Sequence, residues 1–247
     1  MDNLSIAATS GLQSRMVSLD MLANNLANSG TGGFKSDREY YGLYASDESQ
    51  NSVDGGTGTT LPTVEKQWTD FSPGTLEATS SPLDVALTGK GFFSLTGPTK
   101  TLYTRNGSLR ILPSGDLGSA DGYPIQSPGG GTIHVLPGKT ITIMPDGTVE
   151  QDGASVGQIG VVNFPSTDSL RKVGNTNFEN TDSKVVPQPM ANPGIQQGKI
   201  EGSNVQVADA AMRLVGIMRQ SEMLQKAIGV SSDMDSKSIQ EVARVGA

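Results

Sequence analysis

The stretch ANNLANSGTGGFK, from Ala23 to Lys35, separates two kinds of sequence in this chain of 247 residues. Before it, apolar residues recur at the period of a helix almost from the first residue. Within it, the run from Asn28 to Gly33 favours a turn, because asparagine and glycine tolerate left-handed backbone conformations. Helical periodicity does not return until about residue 204. The sequence therefore predicts a helix at each end of the chain and a long glycine-rich region between them.

The N-terminal helix is predicted from about Asn3 to Asn28, and one of its faces has the spacing of a coiled-coil seam. The apolar positions of this face advance by steps of four and three residues; they are Leu12, Met16, Leu19, Ala23 and Leu26. An isolated helix gains little stability from propensity alone, so this seam requires a partner. One interpretation is a helix packed on its own domain, but no second helix is predicted nearby in the sequence, and we expect the seam to be an assembly interface.

The C-terminal helix is predicted from about residue 204, with Ser203 or Asn204 as its N-cap and Asp209 where a negative charge suits the helix dipole. Two neighbouring apolar rows follow along it. The first row is Val207, Ala210, Leu214, Ile217, Ser221, Leu224 and Ile228, and the second is Ala208, Ala211, Val215 and Met218. Because two adjacent rows make a broader face than one partner helix covers, the helix suits a bundle with several neighbours.

From these two rows we assign eight residues to the assembly interface, in addition to the N-terminal seam. They are Val207, Ala211, Leu214, Val215, Ile217, Met218, Leu224 and Ile228. The remaining stretch, residues 231–247, is more polar and carries a weaker helical pattern.

Between the helices the hydrophobic period changes to that of short strands separated by turns rich in glycine, asparagine and aspartate. Strands are predicted at 83–87, 91–95, 101–105, 108–112, 133–136, 140–144, 148–151 and 156–163, with shorter pieces at 63–68 and 75–78. Several short strands at this spacing are typical of a sandwich or barrel-like all-β domain.

The predicted fold class is therefore α+β: the N- and C-terminal helices pair as a coiled-coil-like bundle, and the central domain is mainly antiparallel all-β. Residues 1–30 and 204–247 form a discontinuous helical assembly domain, and residues 83–163 form the β-rich domain. Residues 31–82 are an extended linker and loop region, and residues 164–203 are a returning extended segment. Within the linker, the polar tract 46–60 is predicted to be a mobile or partner-dependent loop.

Composition excludes several classes of protein. Acidic residues outnumber basic ones by 25 to 18, giving a formal charge of −7, and no Lys/Arg cluster appears, so nucleic-acid binding is not expected. The chain contains no cysteine, which excludes disulfides and thiolate metal sites. No apolar run is long enough to span a membrane. The start of the chain lacks the pattern of a cleaved signal peptide, so we expect any export to use a route that needs none.

The sequence contains no convincing catalytic or cofactor site. The single histidine, His134, falls in a predicted strand and has no nucleophile motif beside it. The glycines at 89–91 and 129–131 lack the spacing and the Lys-Ser/Thr ending of a phosphate-binding loop. We therefore predict that the protein is not an enzyme and binds no cofactor or metal; a hydrolase that uses His134 is a distant third hypothesis.

A binding module is the alternative from a different class. Trp68 and the group Tyr40, Tyr41 and Tyr44 have side chains that bind sugars or peptides in other settings. In this interpretation the β domain recognises a glycan or peptide, and the terminal helices are dispensable. More often such aromatic residues pack or lie at interfaces.

Taken together, segments from both ends and the middle of the chain resemble the rod and hook proteins of the bacterial flagellum. The N-terminal signature is matched by residues 23–28 (ANNLAN) and by Thr31, Gly33, Phe34 and Lys35. The central signature is matched by residues 83–93 (LDVALTGKGFF), by residues 103–108 (YTRNGS), and by Gly115 and Leu117. The C-terminal signature is matched by residues 201–205 (EGSNV). The chain departs from the family pattern at Gln206 and within residues 219–223.

Within this family, residues 70–76 (DFSPGTL) and 81–84 (SPLD) look most like the proximal rod subunit, with the distal rod or a hook-type subunit as the near alternative. The resemblance implies a structural subunit of the basal-body rod that polymerises helically around a central export channel and transmits torque through the periplasm. It also implies export through the flagellar type III apparatus and contact with further copies and other axial proteins. Contacts with ring or export-base proteins are a further expectation.

Overall fold

A computed structural model of the chain describes residues 3–45, 60–174 and 176–245. The chain divides into two compact units. The first, which we call the helical unit, comprises Met1–Ala27, Asp37–Trp68 and Gln206–Ala247. The second, the β unit, comprises Asn28–Ser36 and Thr69–Val205. Over the described residues the protein has two α-helices and seventeen strands.

The helical unit contains both helices and a pair of strands. Helix α1 spans Asn3–Ala27 and helix α2 spans Val207–Val245. Strands β1 (Asp37–Ala45) and β2 (Thr60–Thr69) pair with each other. Helix α1 packs against α2 and also against β1. The two terminal helices predicted from the sequence are thus confirmed.

Three details of this unit differ from the prediction. Helix α2 begins at Val207, so neither Ser203 nor Asn204 caps it, and it continues through the polar stretch as far as Val245. Strand β1 was not anticipated, although its tyrosines favour an extended backbone. The predicted loop at 46–60 lies outside the described residues except for Thr60, which begins β2.

The β unit is built from fifteen short strands. In chain order they are β3 (Leu76–Ala78), β4 (Val85–Leu87), β5 (Phe92–Thr96), β6 (Thr101–Thr104), β7 (Leu109–Ile111), β8 (Leu117–Ser119), β9 (Ile141–Ile143), β10 (Thr148–Gln151), β11 (Ala154–Gln158), β12 (Val161–Asn163), β13 (Leu170–Lys172), β14 (Asn177–Asn180), β15 (Gln188–Pro189), β16 (Ile195–Gln197) and β17 (Lys199–Glu201).

A six-stranded sheet in the order β13-β14-β6-β5-β12-β15 is the largest element of this unit. A three-stranded sheet has the order β11-β10-β9, and the pairs β16-β4, β17-β3 and β7-β8 complete the unit. All of these pairings are antiparallel, as predicted.

The prediction was wrong in two stretches of this unit. Residues 133–136 do not form a strand, and His134 is the one residue among them that forms an isolated bridge, with Asp116. The predicted strand at 156–163 is interrupted at Gly160, whose N–H donates to Gln126 O at 2.7 Å. A Cβ at Gly160 would lie 2.6 Å from that same carbonyl oxygen, so the backbone passes too close for a side chain. The segment after residue 164 also contains five strands, from β13 to β17.

The core of the β unit consists of two hydrophobic clusters. The larger is mainly aliphatic and includes Leu95, Leu117 and one phenylalanine, Phe93, each with no solvent exposure. The smaller is aromatic and is formed by Phe92, Tyr103, Phe164, Leu170 and Phe178. Successive residues of a strand point to opposite faces of a sheet, so Phe92 and Phe93 of β5 fall in different clusters. The large sheet is therefore covered by apolar side chains on both faces.

Candidate assembly site: helix faces and a buried junction

Helix α1 packs within the helical unit through a row of small and polar residues. Gly11, Ser14, Ser18, Leu22 and Asn25 are its buried positions. A Cβ at Gly11 would lie 3.6 Å from Cδ1 of Leu224, an ordinary van der Waals distance, so Gly11 faces α2. This row, and not the predicted seam, is the buried face of α1.

Two hydrogen-bonded contacts hold the same row against β1. Ser18 Oγ donates to Glu39 Oε2 at 2.5 Å. Asn25 Nδ2 donates to Asp37 O at 2.8 Å, and Asp37 N donates back to Asn25 Oδ1 at 3.0 Å. Because buried polar groups need partners, these bonds explain why serine and asparagine occupy interior positions of an apolar-patterned helix.

The predicted seam of α1 lies on a different face. At the helical repeat, the seam is centred roughly 120° around the axis from the buried row. Met16 is 58% exposed, and Ala23 is also exposed. Leu12, Leu19 and Leu26 are only half-buried.

The predicted interface residues of α2 divide between two faces. Along the first row, Ala210, Ile217 and Ser221 are buried, and Leu214, Leu224 and Ile228 are half-buried. The second row is open to solvent: Val215 and Met218 are each 49% exposed, while Ala211 is half-buried. Val207, at the start of the helix, is 52% exposed.

Inside the β unit, a buried carboxylate joins three parts of the chain. Glu201 Oε1 accepts a hydrogen bond from Lys35 Nζ at 2.5 Å and another from Gly74 N at 3.0 Å. Its other oxygen, Oε2, lies 3.1 Å from Arg105 Nε. The side chains of Lys35 and Glu201 are 0% and 1% exposed, so this is an interior ion network.

Backbone carbonyls accept further hydrogen bonds from the two cations. Arg105 donates to Gly91 O at 2.9 Å and to Gly89 O at 2.7 Å. Lys35 Nζ donates to Ser72 O at 2.7 Å. Burial lowers the pKa of Lys35, and the hydrogen bond to Glu201 opposes that shift. Burial likewise lowers the pKa of Arg105, while the charge of Glu201 raises it.

Asn204 joins three segments of the β unit through its side-chain amide. Its Oδ1 accepts from Ser36 N at 2.7 Å, and its Nδ2 donates to Asp70 O at 2.7 Å. Asp70 N in turn donates to Ser36 O at 2.8 Å. Asn204 therefore does not act as a helix cap, because its side chain is used in these bonds.

Gly33 is required where the N-terminal and C-terminal segments meet. Its N–H donates to Glu201 O at 2.6 Å. Its φ is +70°, and an added Cβ would lie 2.3 Å from Asn106 N. Only glycine satisfies both the left-handed conformation and this close approach.

The three charged residues of the network come from the three signature segments quoted above. Lys35 ends the N-terminal signature, Arg105 belongs to the central one, and Glu201 begins the C-terminal one. Sequence reasoning treated the first signature as a turn and did not predict that these residues meet. The available signal was a charged residue in each of three segments otherwise rich in glycine and apolar residues.

The residues considered for other functions do not form a site with this network. His134 Nδ1 lies 3.3 Å from Asp116 Oδ1, and its side chain is 63% exposed. Trp68 is 46% exposed, with the Arg38 guanidinium 5.9 Å from its ring centre. Tyr40 is exposed, while the side chains of Tyr41 and Tyr44 lie outside the described part of the structure.

A cleft of about 340 Å³ lies in the β unit, with Phe71, Lys90, Phe92 and Phe164 among its lining residues. Neither Trp68 nor Tyr40 belongs to that lining. Among the described residues, no group of carboxylates and histidine has the arrangement of a metal site. Neither described helix combines the length and apolarity needed to cross a membrane.

Comparison with known proteins identifies family domains along most of the chain. Residues 7–35 match the family described as flagella basal body rod protein. Residues 86–163 match the D1 domain of the flagellar hook protein FlgE/F/G family, and residues 196–241 match the C-terminal domain of the flagellar basal body rod FlgEFG proteins.

Full-length relatives agree with these domain matches. The chain is 28% identical to flagellar basal-body rod protein FlgF of Caulobacter vibrioides, over 99% of this chain and 100% of the relative. It is 30% identical to FlgG of Buchnera aphidicola subsp. Schizaphis graminum, over 92% and 95%. It is 31% identical to FlgG of Caulobacter vibrioides, over 92% and 94%.

The three domain matches and the full-length relatives are all flagellar rod and hook proteins, which form the axial class of flagellar proteins. The chain belongs to the flagellar basal-body rod protein family.

Proposed function

We propose that this protein is a structural subunit of the flagellar rod that polymerises helically through its terminal helices. In this role it is a proximal rod subunit, with the distal rod subunit as the alternative. It forms part of the periplasmic shaft that transmits torque and surrounds the export channel, and it reaches that place through the flagellar type III apparatus. Its partners are further copies of itself and other axial proteins.

The apolar exposure of the two helices is the single observation that carries this proposal. Met16 on α1 and Val215 and Met218 on α2 are each about half or more exposed, at 58%, 49% and 49%. Exposed apolar residues are ordinary when scattered, but here Val215 and Met218 share one face of α2, and the exposed Met16 and Ala23 share one face of α1. Covering such rows on association is the main source of stability in helical assemblies.

The buried junction supports the same proposal by fixing the segments next to the helices. Ser36 and Asn204 are hydrogen-bonded at 2.7 Å, and Gly33 and Glu201 at 2.6 Å. The chain therefore leaves and re-enters the β unit through segments that are bonded to each other. The predicted division into an assembly domain (1–30 and 204–247) and a β-rich domain (83–163) is part of this proposal.

Deletion of either helix tests the proposal. We expect cells that produce the chain without residues 1–27, or without residues 206–247, to build no complete rod and to be non-motile. Residues 28–205 retain Lys35, Arg105, Glu201 and Asn204, so we expect the β unit to fold in either variant. Isolation of basal bodies and electron microscopy give the measurement.

A matched control separates loss of assembly from loss of export. Each truncated chain is assayed for secretion by measuring its amount in the culture medium of a strain that lacks the hook. A truncation that still supports normal rods would refute assembly through that helix. Complementation of strains lacking the proximal or the distal subunit distinguishes the two positions, since only the correct strain regains motility.

A further inference from the structure

The predicted seam of α1 is only partly covered although α1 packs within its own chain, and Leu12, Leu19 and Leu26 are half-buried. Its members advance by four and three residues, as in a coiled coil, yet Met16 is 58% exposed and Ala23 is also exposed. The face that packs internally carries Gly11, Ser14 and Ser18 instead. The most regular apolar seam of α1 is thus left for a surface outside this chain.

Helix α2 has a further seam, mostly exposed, in addition to the two apolar rows predicted from the sequence. It is formed by Met212, Gly216, Met223, Ala227, Val230 and Met234, which we call the outer stripe. The exposed fractions of Met212, Met223 and Met234 are 66%, 62% and 64%. The steps of four, seven, four, three and four residues fit a heptad repeat.

The outer stripe is distinct from the face of α2 that packs within the chain. The packing row, which includes Ala210, Ile217 and Ser221, is centred roughly 130° away around the helix axis. One chain therefore presents two partly exposed seams, one on each helix, while both helices already use other rows for their mutual contact.

When the two helices run parallel, the charges at one edge of the two seams are opposite in sign, while the other edges carry Arg15 on α1 and Arg213 on α2. Asp20 lies next to Met16 on the helical projection of α1 and is exposed. Arg219 and Lys226 lie along one edge of the outer stripe and are also exposed. Opposite charges that flank an apolar seam select partner and orientation in coiled coils. A pairing of the α1 seam with the outer stripe places acidic and basic side chains at the same edge.

We propose that the α1 seam of one copy packs on the outer stripe of α2 of a second copy of this chain. This inference rests on the proposed function and specifies the faces that it uses. Because one face meets a different face, the contact is heterologous, and each added copy presents an unused seam and an unused stripe. The pairing therefore propagates from copy to copy without closing between two chains.

Cysteine pairs test this contact directly, since the natural chain contains no cysteine. Two full-length single-cysteine variants with different tags are produced together in cells that lack the natural chain. One carries Ala23→Cys, and its partner carries Met212→Cys, Met223→Cys, Val230→Cys or Met234→Cys. Basal bodies are isolated, oxidised and separated without reductant. We expect a disulfide-linked dimer carrying both tags for at least one partner, and the partner that gives it identifies the register.

Matched controls use exposed positions away from the two seams. Gln13→Cys replaces Ala23→Cys on α1, and Gln225→Cys replaces the stripe cysteine on α2; both glutamines are exposed. These pairs are expected to lose the dimer. Equal yields from control and seam pairs, no dimer from any stripe position, or disulfide formation with a different protein would each overturn the proposal. A disulfide within one chain carrying both Ala23→Cys and Met223→Cys would do so as well.

A charge substitution tests the same contact independently of chemical linkage. Met223→Glu is expected to cause loss of motility and of assembled rods, whereas Gln225→Glu retains both. The far-UV circular dichroism of the two purified chains should be the same, because both positions are exposed. Failure of this inference is distinguishable from failure of the proposed function: the helix deletions then still abolish the rod, while Met223→Glu and the cysteine pairs have no effect.

Discussion

Glu201 faces two buried cations, which makes its loss different from the loss of a surface charge. Lys35 and Arg105 both contact its carboxylate, and the side chains of the three residues are at most 5% exposed. Desolvation of such groups is compensated only while the pairing is complete. The network therefore links the terminal segments of the β unit, and it is sensitive to removal of its only carboxylate.

Replacement Glu201→Ala is expected to lower the free energy of unfolding of the β unit by about 3–5 kcal/mol, because it leaves buried cations without compensation. Urea unfolding followed by circular dichroism measures this change. Glu179→Ala is the matched control, since Glu179 pairs with the largely exposed Lys100. An unchanged unfolding midpoint for Glu201→Ala would contradict the role of the network.

Replacement Gly33→Ala is expected to destabilise the β unit strongly. The left-handed φ of +70° alone costs an alanine about 1–2 kcal/mol, and the new Cβ would also lie 2.3 Å from Asn106 N. Gly30→Ala serves as the control, because nothing lies within 4 Å of its added Cβ. Thermal unfolding of the two variants should therefore differ clearly; equal melting temperatures would show that the backbone at Gly33 relaxes freely.

Asp116 gives a pH-dependent prediction. The hydrogen bond that Ser114 Oγ donates at 2.9 Å, followed by the contact with His134, lowers the pKa of Asp116 below its ordinary value of 3.8. The stability that comes from this shift is present above pH 3.8 and is lost as the pH falls through the lower folded-state value. We expect Ser114→Ala to raise the pKa of Asp116 toward 3.8 in an NMR titration of its carboxyl carbon.

Thr132→Ala is the comparison for that titration, because Thr132 Oγ1 is 3.4 Å from the same carboxylate and contributes least to the shift. A larger change in the pKa of Asp116 from Thr132→Ala than from Ser114→Ala would contradict the assignment of Ser114 as the main cause of the lowered pKa.

Individual charged contacts were the least predictable part of the chain. The quoted signatures contain Lys35, Arg105 and Glu201, but these residues are separated by up to 166 positions, and no local pattern states which of them meet. The turn at Gly33 was predictable because glycine has a local conformational reason to be there. The Asn204 contacts were not, because the same residue is also a good helix cap, and the competing tertiary hydrogen bonds decided its role.

At the scale of elements, helix α1 has one face that packs within the chain and another that we propose packs on a second copy. Sequence periodicity alone does not distinguish these two faces. A heptad seam predicts that a helix packs, but it does not state whether the partner belongs to the same chain. Here the buried row contains Gly11, Ser14 and Ser18, and the Ser18 hydroxyl lies within hydrogen-bond distance of Ser14 O and Glu39 Oε2. The existence of both helices and most strands was predictable from period alone. The face used inside the chain was not.

The two faces of α1 should respond differently to truncation of a side chain. Leu22→Ala is expected to lower the free energy of unfolding of the helical unit by about 2–5 kcal/mol, because Leu22 is 7% exposed. Met16→Ala, at a position that is 58% exposed, is expected to change it by less than about 0.5 kcal/mol. Loss of helical circular dichroism on heating the purified chain measures both. Equal losses for the two variants would contradict the assignment of the faces.

At the scale of the whole molecule, the contacts described for the buried junction lie within the β unit. Both hydrophobic clusters and the network around Glu201 lie in residues that belong to this unit. The discontinuous organisation was predictable because the two helical patterns lie at opposite ends of the sequence. The boundaries of the helical unit at Asp37 and Trp68 were not predictable, because strands β1 and β2 belong to this unit although neither carries a helical pattern.

A chain restricted to residues 28–205 is therefore expected to fold on its own. It should show a β-type circular dichroism spectrum and a cooperative thermal transition, and Glu201→Ala should lower the midpoint of that transition as in the full chain. A broad, non-cooperative transition would indicate that the β unit depends on the terminal helices for its stability.

The hydrogen bond from Gly33 N to Glu201 O, at 2.6 Å, also has an evolutionary consequence. It brings the entry and exit of the β unit to one place, which is the geometry that permits insertion of one domain into another. Parts of the β unit between these two residues that make no junction contact can be lengthened, shortened or exchanged while both helices and strands β1 and β2 keep their sequences. Chains that share this junction can thus differ in the surface of the β unit and still keep one compatible pair of terminal helices.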